Sequence, residues 1–179
     1  MRIVSGSLKG RRFSPPKNFK ARPTTDTARE ALFNVLSHAM DITELKVLDL
    51  FSGTGAISYE FASRGCLNVT SVEKNFHHQK FIQQCIRELH LEDVIHSVKA
   101  DAFSYLNHAP KKNFDLVFAD PPFEMKNFED VAEAVIKADI IVDGGLFILE
   151  HGPQRDFSNH SGFEQIRRYG KVCFTFFRI

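Results

Sequence analysis

The sequence predicts an α/β fold, a mostly parallel sheet with helices on both faces and a small N-terminal extension. From residue 46 onward, short apolar runs alternate with amphipathic helical stretches, the pattern of consecutive βα units. One run, Val47-Leu48-Asp49-Leu50-Phe51-Ser52-Gly53-Thr54-Gly55-Ala56, passes from strand through a glycine turn into a helix. Another, Phe114–Ala119, is almost wholly apolar, as a central parallel strand covered on both faces should be.

The elements follow in chain order. Residues 1–22 alternate weakly, with Ile3, Val4, Leu8 and Phe13 set among polar and basic residues. Gly6 and Gly10 are placed to turn a short hairpin or loop, which Pro15-Pro16 ends. Arg22-Pro23-Thr24-Thr25-Asp26 is a helix entry, where Thr24, Thr25 or Asp26 can cap free N–H groups. Thr27 and Glu30 also match a capping box. Ala28, Ala31, Leu32, Val35, Leu36 and Ala39 then recur at helical spacing to about residue 39. Residues 1–40 therefore read as an extension packed on the core, and 41–179 as the main domain.

In that domain the first strand is Val47–Phe51, and its helix Ala56–Ser63 is closed by Gly65. Asn68–Glu73 is the second strand. Asn75 can cap a helix with the stripe Phe76, Gln79, Ile82, Cys85, Ile86 and Leu89. Ile95–Lys99 is the third strand, followed by a short helix over about 102–107. After Phe114–Ala119 come a helix over about 127–138 and a fifth strand, Leu146–Glu150. Phe163–Tyr169 and Val172–Arg178, around Gly170, form a closing hairpin.

The 179 residues suit one domain, and 43 % hydrophobic with 25 % charged content is ordinary for a soluble one. No apolar run approaches a membrane span, and residues 1–20 lack the apolar stretch of a secretory signal. Cys66, Cys85 and Cys173 lie far apart with no Cys/His cluster, so neither disulfides nor a zinc site is expected and a reducing cytoplasm fits. The net charge of +1 hides an asymmetry. Residues 1–40 carry eight Lys/Arg against two acids, a charge of +6, which leaves −5 on the remainder. A basic arm on an acidic body suggests a polyanionic partner, although a solvated basic tail would look the same.

Ligands of such sheets bind outside the carboxyl ends of the strands. The residues delivered there are Asp49 to Ala56, Glu73, Asp101 and Asp120-Pro121-Pro122-Phe123. Glu73 lies eighteen residues past Gly55, where a carboxylate can accept both hydroxyls of a ribose. Asp101 could accept from an adenine amine with Ala102 or Phe103 beside the ring, or could simply cap a helix. A dinucleotide turn would place a third glycine where Ser58 stands, and Asp49 at the mouth of the turn would repel a pyrophosphate. The same acid favours a sulfonium and an ammonium group, so the pocket suits S-adenosylmethionine.

Asp120-Pro121-Pro122-Phe123 is the most specific local signal. Two prolines fix φ, remove two N–H donors and hold the preceding carbonyls outward. Together with the Asp carboxylate they offer acceptors to a planar NH₂ group. Phe123 offers a face for a base, a contact worth about 1–3 kcal/mol.

The chain resembles the RsmD family, bacterial methyltransferases that modify the exocyclic amine of a guanine in small-subunit ribosomal RNA. The likeness runs from Met1-Arg2-Ile3-Val4-Ser5-Gly6 through Arg22-Pro23-Thr24-Thr25-Asp26 and Arg29-Glu30-x-Leu32-Phe33-Asn34. It continues through the Leu48–Ala56 turn, Ser63-Arg64-Gly65, Glu73, Asp120–Phe123 and Tyr169-Gly170. The glycine turn is shared by most Rossmann-like methyltransferases, and the Asp-Pro-Pro-Phe motif by amino-methyltransferases of DNA and RNA. The Arg-Pro-Thr-Thr-Asp and Arg-Glu-x-Leu-Phe-Asn segments are the specific part.

The resemblance implies a Rossmann-like class I methyltransferase with a seven-stranded sheet and an antiparallel last strand. The cofactor would be S-adenosylmethionine, and the substrate a small ribosomal subunit or an assembly intermediate, bound by a monomer. Asp49, Phe51, Ser52, Gly53, Thr54, Gly55 and Ala56 would hold its methionine part, Glu73 its ribose, and Asp101 and Ala102 its adenine, with Lys74 also binding the cofactor. Asp120 and the Pro121 carbonyl would hold the guanine amine, with Pro122 shaping the loop and Phe123 stacking. Arg2, Lys9, Arg11, Arg12, Arg22, Thr24, Thr25 and Arg29 would contact RNA.

A DNA or other RNA amino-methyltransferase is the main alternative. It usually needs a recognition domain, and only 46 residues precede Val47 and 56 follow Phe123. A protein glutamine methyltransferase would begin its motif with Asn. An NAD-dependent oxidoreductase lacks its third glycine here, and a non-catalytic ribosome-binding factor would not need Asp120 and Phe123.

Overall fold

The computed structural model describes residues 1–16, 19 and 24–179. Seven strands form one sheet: β1 (Lys46–Leu50), β2 (Asn68–Glu73), β3 (Ile95–Lys99), β4 (Phe114–Ala119), β5 (Ile141–His151), β6 (Phe163–Tyr169) and β7 (Val172–Arg178). Their order is β3-β2-β1-β4-β5-β7-β6. The first five strands run parallel, and β7 is antiparallel to both β5 and β6. The helices are α1 (Asp26–Ala39), α2 (Ala56–Ser63), α3 (Phe76–Glu88), α4 (Ala102–His108) and α5 (Asp130–Ala138).

Side chains alternate across each strand, so the sheet builds two cores. Val47, Val69, Leu116, Phe118, Ile148 and Phe174 face α1, α2 and α3, and Leu48, Leu50, Val117, Phe147 and Leu149 face α4 and α5. The chain order reverses between β1 and β4, which opens a crevice at their carboxyl ends.

The N-terminal arm belongs to the first core, because Ile3 and Phe13 are buried in it. Burial of such a side chain contributes about 1.5–3 kcal/mol, too much for a solvated tail to forgo. The arm is two antiparallel passes joined by the isolated bridge Arg2–Arg12. Glu60 on α2 accepts the backbone N–H groups of Val4 at 2.8 Å and Ser5 at 3.0 Å. At the far end of α2, Ser63 accepts from Ser7 N–H at 2.7 Å and Leu8 N–H at 2.9 Å. Gly6 has φ +82°, and a Cβ there would collide with the Ser63 carbonyl, so only glycine permits this approach.

Several boundaries differ from the sequence expectation for local reasons. Thr25 caps α1, accepting from Ala28 N–H at 3.2 Å, and Thr27 lies inside the helix instead of opening a capping box. The first strand stops at Leu50 because Phe51 turns to φ 61°. The fifth strand starts at Ile141 rather than Leu146. Gly144-Gly145 does not break it but sits where the β4–β5 register shifts, the usual place of glycine in a bulge. α5 starts at Asp130, because residues 122–131 form successive turns, with Met125 N–H bonded to the Pro122 carbonyl at 2.8 Å.

Candidate active site

The glycine turn is held from below by acids. Phe51, Gly53 and Gly55 all have positive φ, at 61°, 55° and 79°. A non-glycine residue in that region is uncommon and costs on the order of 1 kcal/mol or more, so Phe51 marks a turn fixed by its surroundings. The Ser52 hydroxyl donates to the Asp49 carbonyl at 2.7 Å, and its N–H to the Val72 carbonyl at 3.0 Å. Gly55 leaves no room for a side chain, since a Cβ would lie 2.5 Å from the Tyr59 hydroxyl.

Asp49 lies beneath the turn and not at its mouth, being only 2 % exposed. One of its oxygens accepts from the Ser58 hydroxyl at 2.6 Å and the Ser58 N–H at 3.2 Å. Ser58, at the place of a dinucleotide turn's third glycine, thus anchors this acid. Burial raises the Asp49 pKa to about 7 despite these bonds.

Glu73 closes β2 and ties two loops together. One oxygen accepts from Gly53 N–H at 2.8 Å and the other from Asn75 N–H at 2.7 Å. Each carboxylate oxygen has a second lone pair for a hydroxyl. Asp101 caps α4, accepting from Phe103 and Ser104 N–H at 3.1 and 3.2 Å, while its other oxygen meets Lys74 at 3.0 Å. The Lys74 hydrogen bond holds this carboxyl below its ordinary range.

Asp120 follows β4 and has no donor to its carboxylate among the described residues. Its backbone N–H reaches the Leu50 carbonyl at 3.4 Å, which places it over β1. Burial, and then the neighbouring Glu150 and Asp49, push its pKa well above the usual carboxylate range. The Pro122 carbonyl is occupied by Met125, whereas that of Pro121 has no donor among the described residues. Phe123 stands 41 % exposed beside this acceptor pair. Arg155 holds the loop: its Nη2 donates to the Phe123 carbonyl at 3.3 Å, its Nε to Glu129 at 2.8 Å, and its guanidinium lies 3.8 Å above the Phe128 ring.

Sequence reasoning missed Glu150. It is 3 % exposed at the end of β5 and accepts from the Thr24 hydroxyl at 2.7 Å. Burial raises its pKa to about 7, and Thr24 and Arg29 pull it back. The signal was available, since Glu150 ends an apolar run just as Asp120 does. By register, Asp49 is level with Phe118 and Leu149 with Ala119, so Asp49, Asp120 and Glu150 share one face of three adjacent strands. Three crowded carboxyls resist ionising together. Next to them His151 is buried, with Nδ1 at 2.8 Å from the Gly152 carbonyl and Nε2 at 2.7 Å from the Thr175 hydroxyl. A carbonyl only accepts, so Nδ1 carries a proton. Burial lowers its pKa.

A family model described as Conserved hypothetical protein 95 matches residues 1–178. A Ribosomal RNA small subunit methyltransferase D of Buchnera aphidicola is 31 % identical over 150 residues, covering 84 % of this chain and 75 % of that protein. The chain belongs to the RsmD family. The Escherichia coli K12 protein of the same name is also 31 % identical, over 84 % of this chain and 74 % of its own. Among solved structures, yhhF of Escherichia coli superimposes with a TM-score of 0.84 at 26 % identity, covering 99 % of this chain and 97 % of that one. A hypothetical protein of Thermus thermophilus reaches 0.88 at 25 % identity over 100 % and 99 % of the two chains. The fold of this RsmD-family chain is that of a class I methyltransferase, as the sequence predicts.

Three expected RNA contacts take structural roles instead. Arg29 is buried, bonding the Arg2 carbonyl and, at 2.6 Å, Asp26, and standing 3.8 Å from buried Glu60. Thr24 is buried on Glu150, and Thr25 is the α1 cap. Arg29 and Thr24 are too deeply buried to meet a phosphate, and freeing either would break the bonds that hold the extension to the core. Lys9, Arg11 and Arg12 are exposed, Arg2 pairs with Asp26 at 3.4 Å, and Arg22 lies outside the described residues. Lys9 sits near Ser63, at the end of α2 away from the glycine turn.

Proposed function

We propose that this chain transfers a methyl group from S-adenosylmethionine to the exocyclic N2 amine of a guanine in small-subunit (16S) ribosomal RNA. The carrying observation is the pairing of two free acceptors, the Asp120 carboxylate and the Pro121 carbonyl, with the exposed ring of Phe123 beside a turn backed by acids. The names of the relatives supply the class of substrate.

The residues present fit the cofactor chemically. A cluster of carboxyls with raised pKa values is relieved by a cationic ligand, and S-adenosylmethionine carries a sulfonium and an ammonium. The Gly53–Gly55 turn would hold its methionine part, Glu73 the ribose, and Asp101 with Ala102 the adenine. When bound, it supplies an electrophilic methyl group.

The chain's own work is positioning and electrostatics. A guanine amine is a poor nucleophile because its lone pair is delocalised into the ring. Asp120 and the Pro121 carbonyl each accept one N–H, which favours a pyramidal nitrogen with its lone pair free. Phe123 fixes the plane of the base. The extension of residues 1–40 faces the RNA, the acting form is a monomer in the cytoplasm, and the partner is the small subunit or an assembly intermediate.

The test is incubation with labelled S-adenosylmethionine and small subunits, naked ribosomal RNA or duplex DNA, followed by mapping. Label at a guanine N2 of the small-subunit RNA is expected. Label on DNA, or on an adenine or cytosine amine, would transfer the site to the alternative class.

A further inference from the structure

We infer that the β6–β7 hairpin tip, carrying Arg167, Arg168 and Lys171, is a second phosphate-binding track for the RNA strand, flanking the site opposite the N-terminal arm. This rests on the RNA substrate proposed above.

Register places the tip. Arg167 and Glu150 both pair with Phe174, one from each side of β7. Directly paired residues point to the same face, so Arg167 is level with Glu150 on the face bearing Asp49 and Asp120. Two strand spacings separate them, about 10 Å. Arg168 is level with His151 through Cys173, so it reaches the same end of the hairpin from the opposite face of the sheet. The turn Tyr169-Gly170-Lys171-Val172 continues past the last residue of β5, so Lys171 projects beyond the floor of the site.

The charges there are free. Arg167, Arg168 and Lys171 are exposed, and none forms an ion pair among the described residues. Arg167 Nε donates back along β6 to Gln165 at 3.0 Å, which draws the guanidinium from the turn toward α1 and leaves its other nitrogens open. Asp156 feels Arg168 but is itself held by Ser158.

Chemistry calls for cations at this place. Glu73, Asp101 and Asp120 stand at the strand ends over the buried Asp49 and Glu150, and such acids repel a polyanion approaching the cofactor turn. An RNA strand presenting one base to Phe123 needs its flanking phosphates neutralised on both sides. Exposed Arg11 and Arg12 stand on the arm over α2 on one flank, and the hairpin tip supplies the other.

A plainer role for charges on an edge strand is to block edge-to-edge aggregation. That role does not require Lys171, which is in the turn. It also does not explain why the opposite end of the hairpin pairs its charges, Arg178 with Glu164 at 3.2 Å, while the site end leaves three unpaired.

The test compares the full-length chain with the variant Arg167→Ala/Arg168→Ala/Lys171→Ala in binding naked 16S ribosomal RNA over a salt series. The control, Arg87→Ala/Lys111→Ala, removes cations near the amino ends of the strands. The hairpin variant should bind roughly tenfold or more weakly, with a log–log salt slope shallower by roughly 2–3. Its S-adenosylmethionine affinity, melting temperature and oligomeric state should match those of the parent, as should RNA binding by the control. An unchanged slope with normal parental binding overturns the hairpin assignment alone. A parent that binds neither this RNA nor small subunits in the same salt series overturns the substrate reading and this inference with it.

Discussion

The Thr24 hydroxyl donates to the Glu150 carboxylate at 2.7 Å, joining residues 126 positions apart. One belongs to the helix entry of the extension, and the other to the carboxylate group beneath the site. The extension is therefore tied to the candidate site, not merely laid over it. Thr24→Val should destabilise the chain by about 1–3 kcal/mol, because a buried acceptor loses its donor. Denaturant titration measures this, and an unchanged midpoint would deny the bond its structural weight.

Asp120→Ala should abolish methyl transfer while leaving S-adenosylmethionine binding nearly intact, since the proposed role of its carboxylate is to hold the amine acceptor. Calorimetry and turnover measured together check this. Parental turnover would remove Asp120 from its role.

Glu73→Ala should weaken cofactor binding by two routes. It removes the proposed ribose acceptor and releases Gly53 N–H, which the carboxylate holds at 2.8 Å. Glu73→Gln keeps an acceptor for Gly53 and should lose less. Equal cofactor affinity in all three proteins would place the ribose elsewhere.

The buried acids set a pH dependence of stability. Asp49 and Glu150 have pKa values of about 7 in the fold, against ordinary values of 3.8 and 4.5. Between those limits the folded chain binds more protons than the unfolded one, so stability falls as pH rises. The cofactor-free protein should show a higher urea midpoint at about pH 5 than at about pH 8, and Asp49→Asn should flatten the difference. A parental slope in the Asn variant would mean that Asp49 does not titrate there.

Arg155→Ala should loosen the Phe123 loop, because one guanidinium holds the Phe123 carbonyl, Glu129 and the Phe128 ring. Amide hydrogen exchange over residues 123–129 should accelerate while that of α2 does not. Uniform exchange behaviour would mean the turns hold themselves.

Much of this was legible from residue order. The span of Asn68–Glu73, Phe114–Ala119 and the closing hairpin follows from apolar alternation and glycine punctuation, which act over a few residues. The fifth strand was harder, because Gly144-Gly145 reads as an interruption in isolation and becomes a bulge only when β4 supplies a partner.

By itself, the sequence determined the βα order, the acids at the strand ends, the glycine turn and the proline-fixed acceptors, all properties of short stretches. Only the tertiary structure decided how those stretches serve one another. It turned Ser58 into the anchor of Asp49, buried Arg29 against Glu60, and brought Glu150 beside Asp120. It also used Thr24 as a bond and not a surface contact. The reason is range: a basic or hydroxyl side chain looks equally able to meet a phosphate or a carboxylate. Which it meets depends on burial and on partners dozens of residues away.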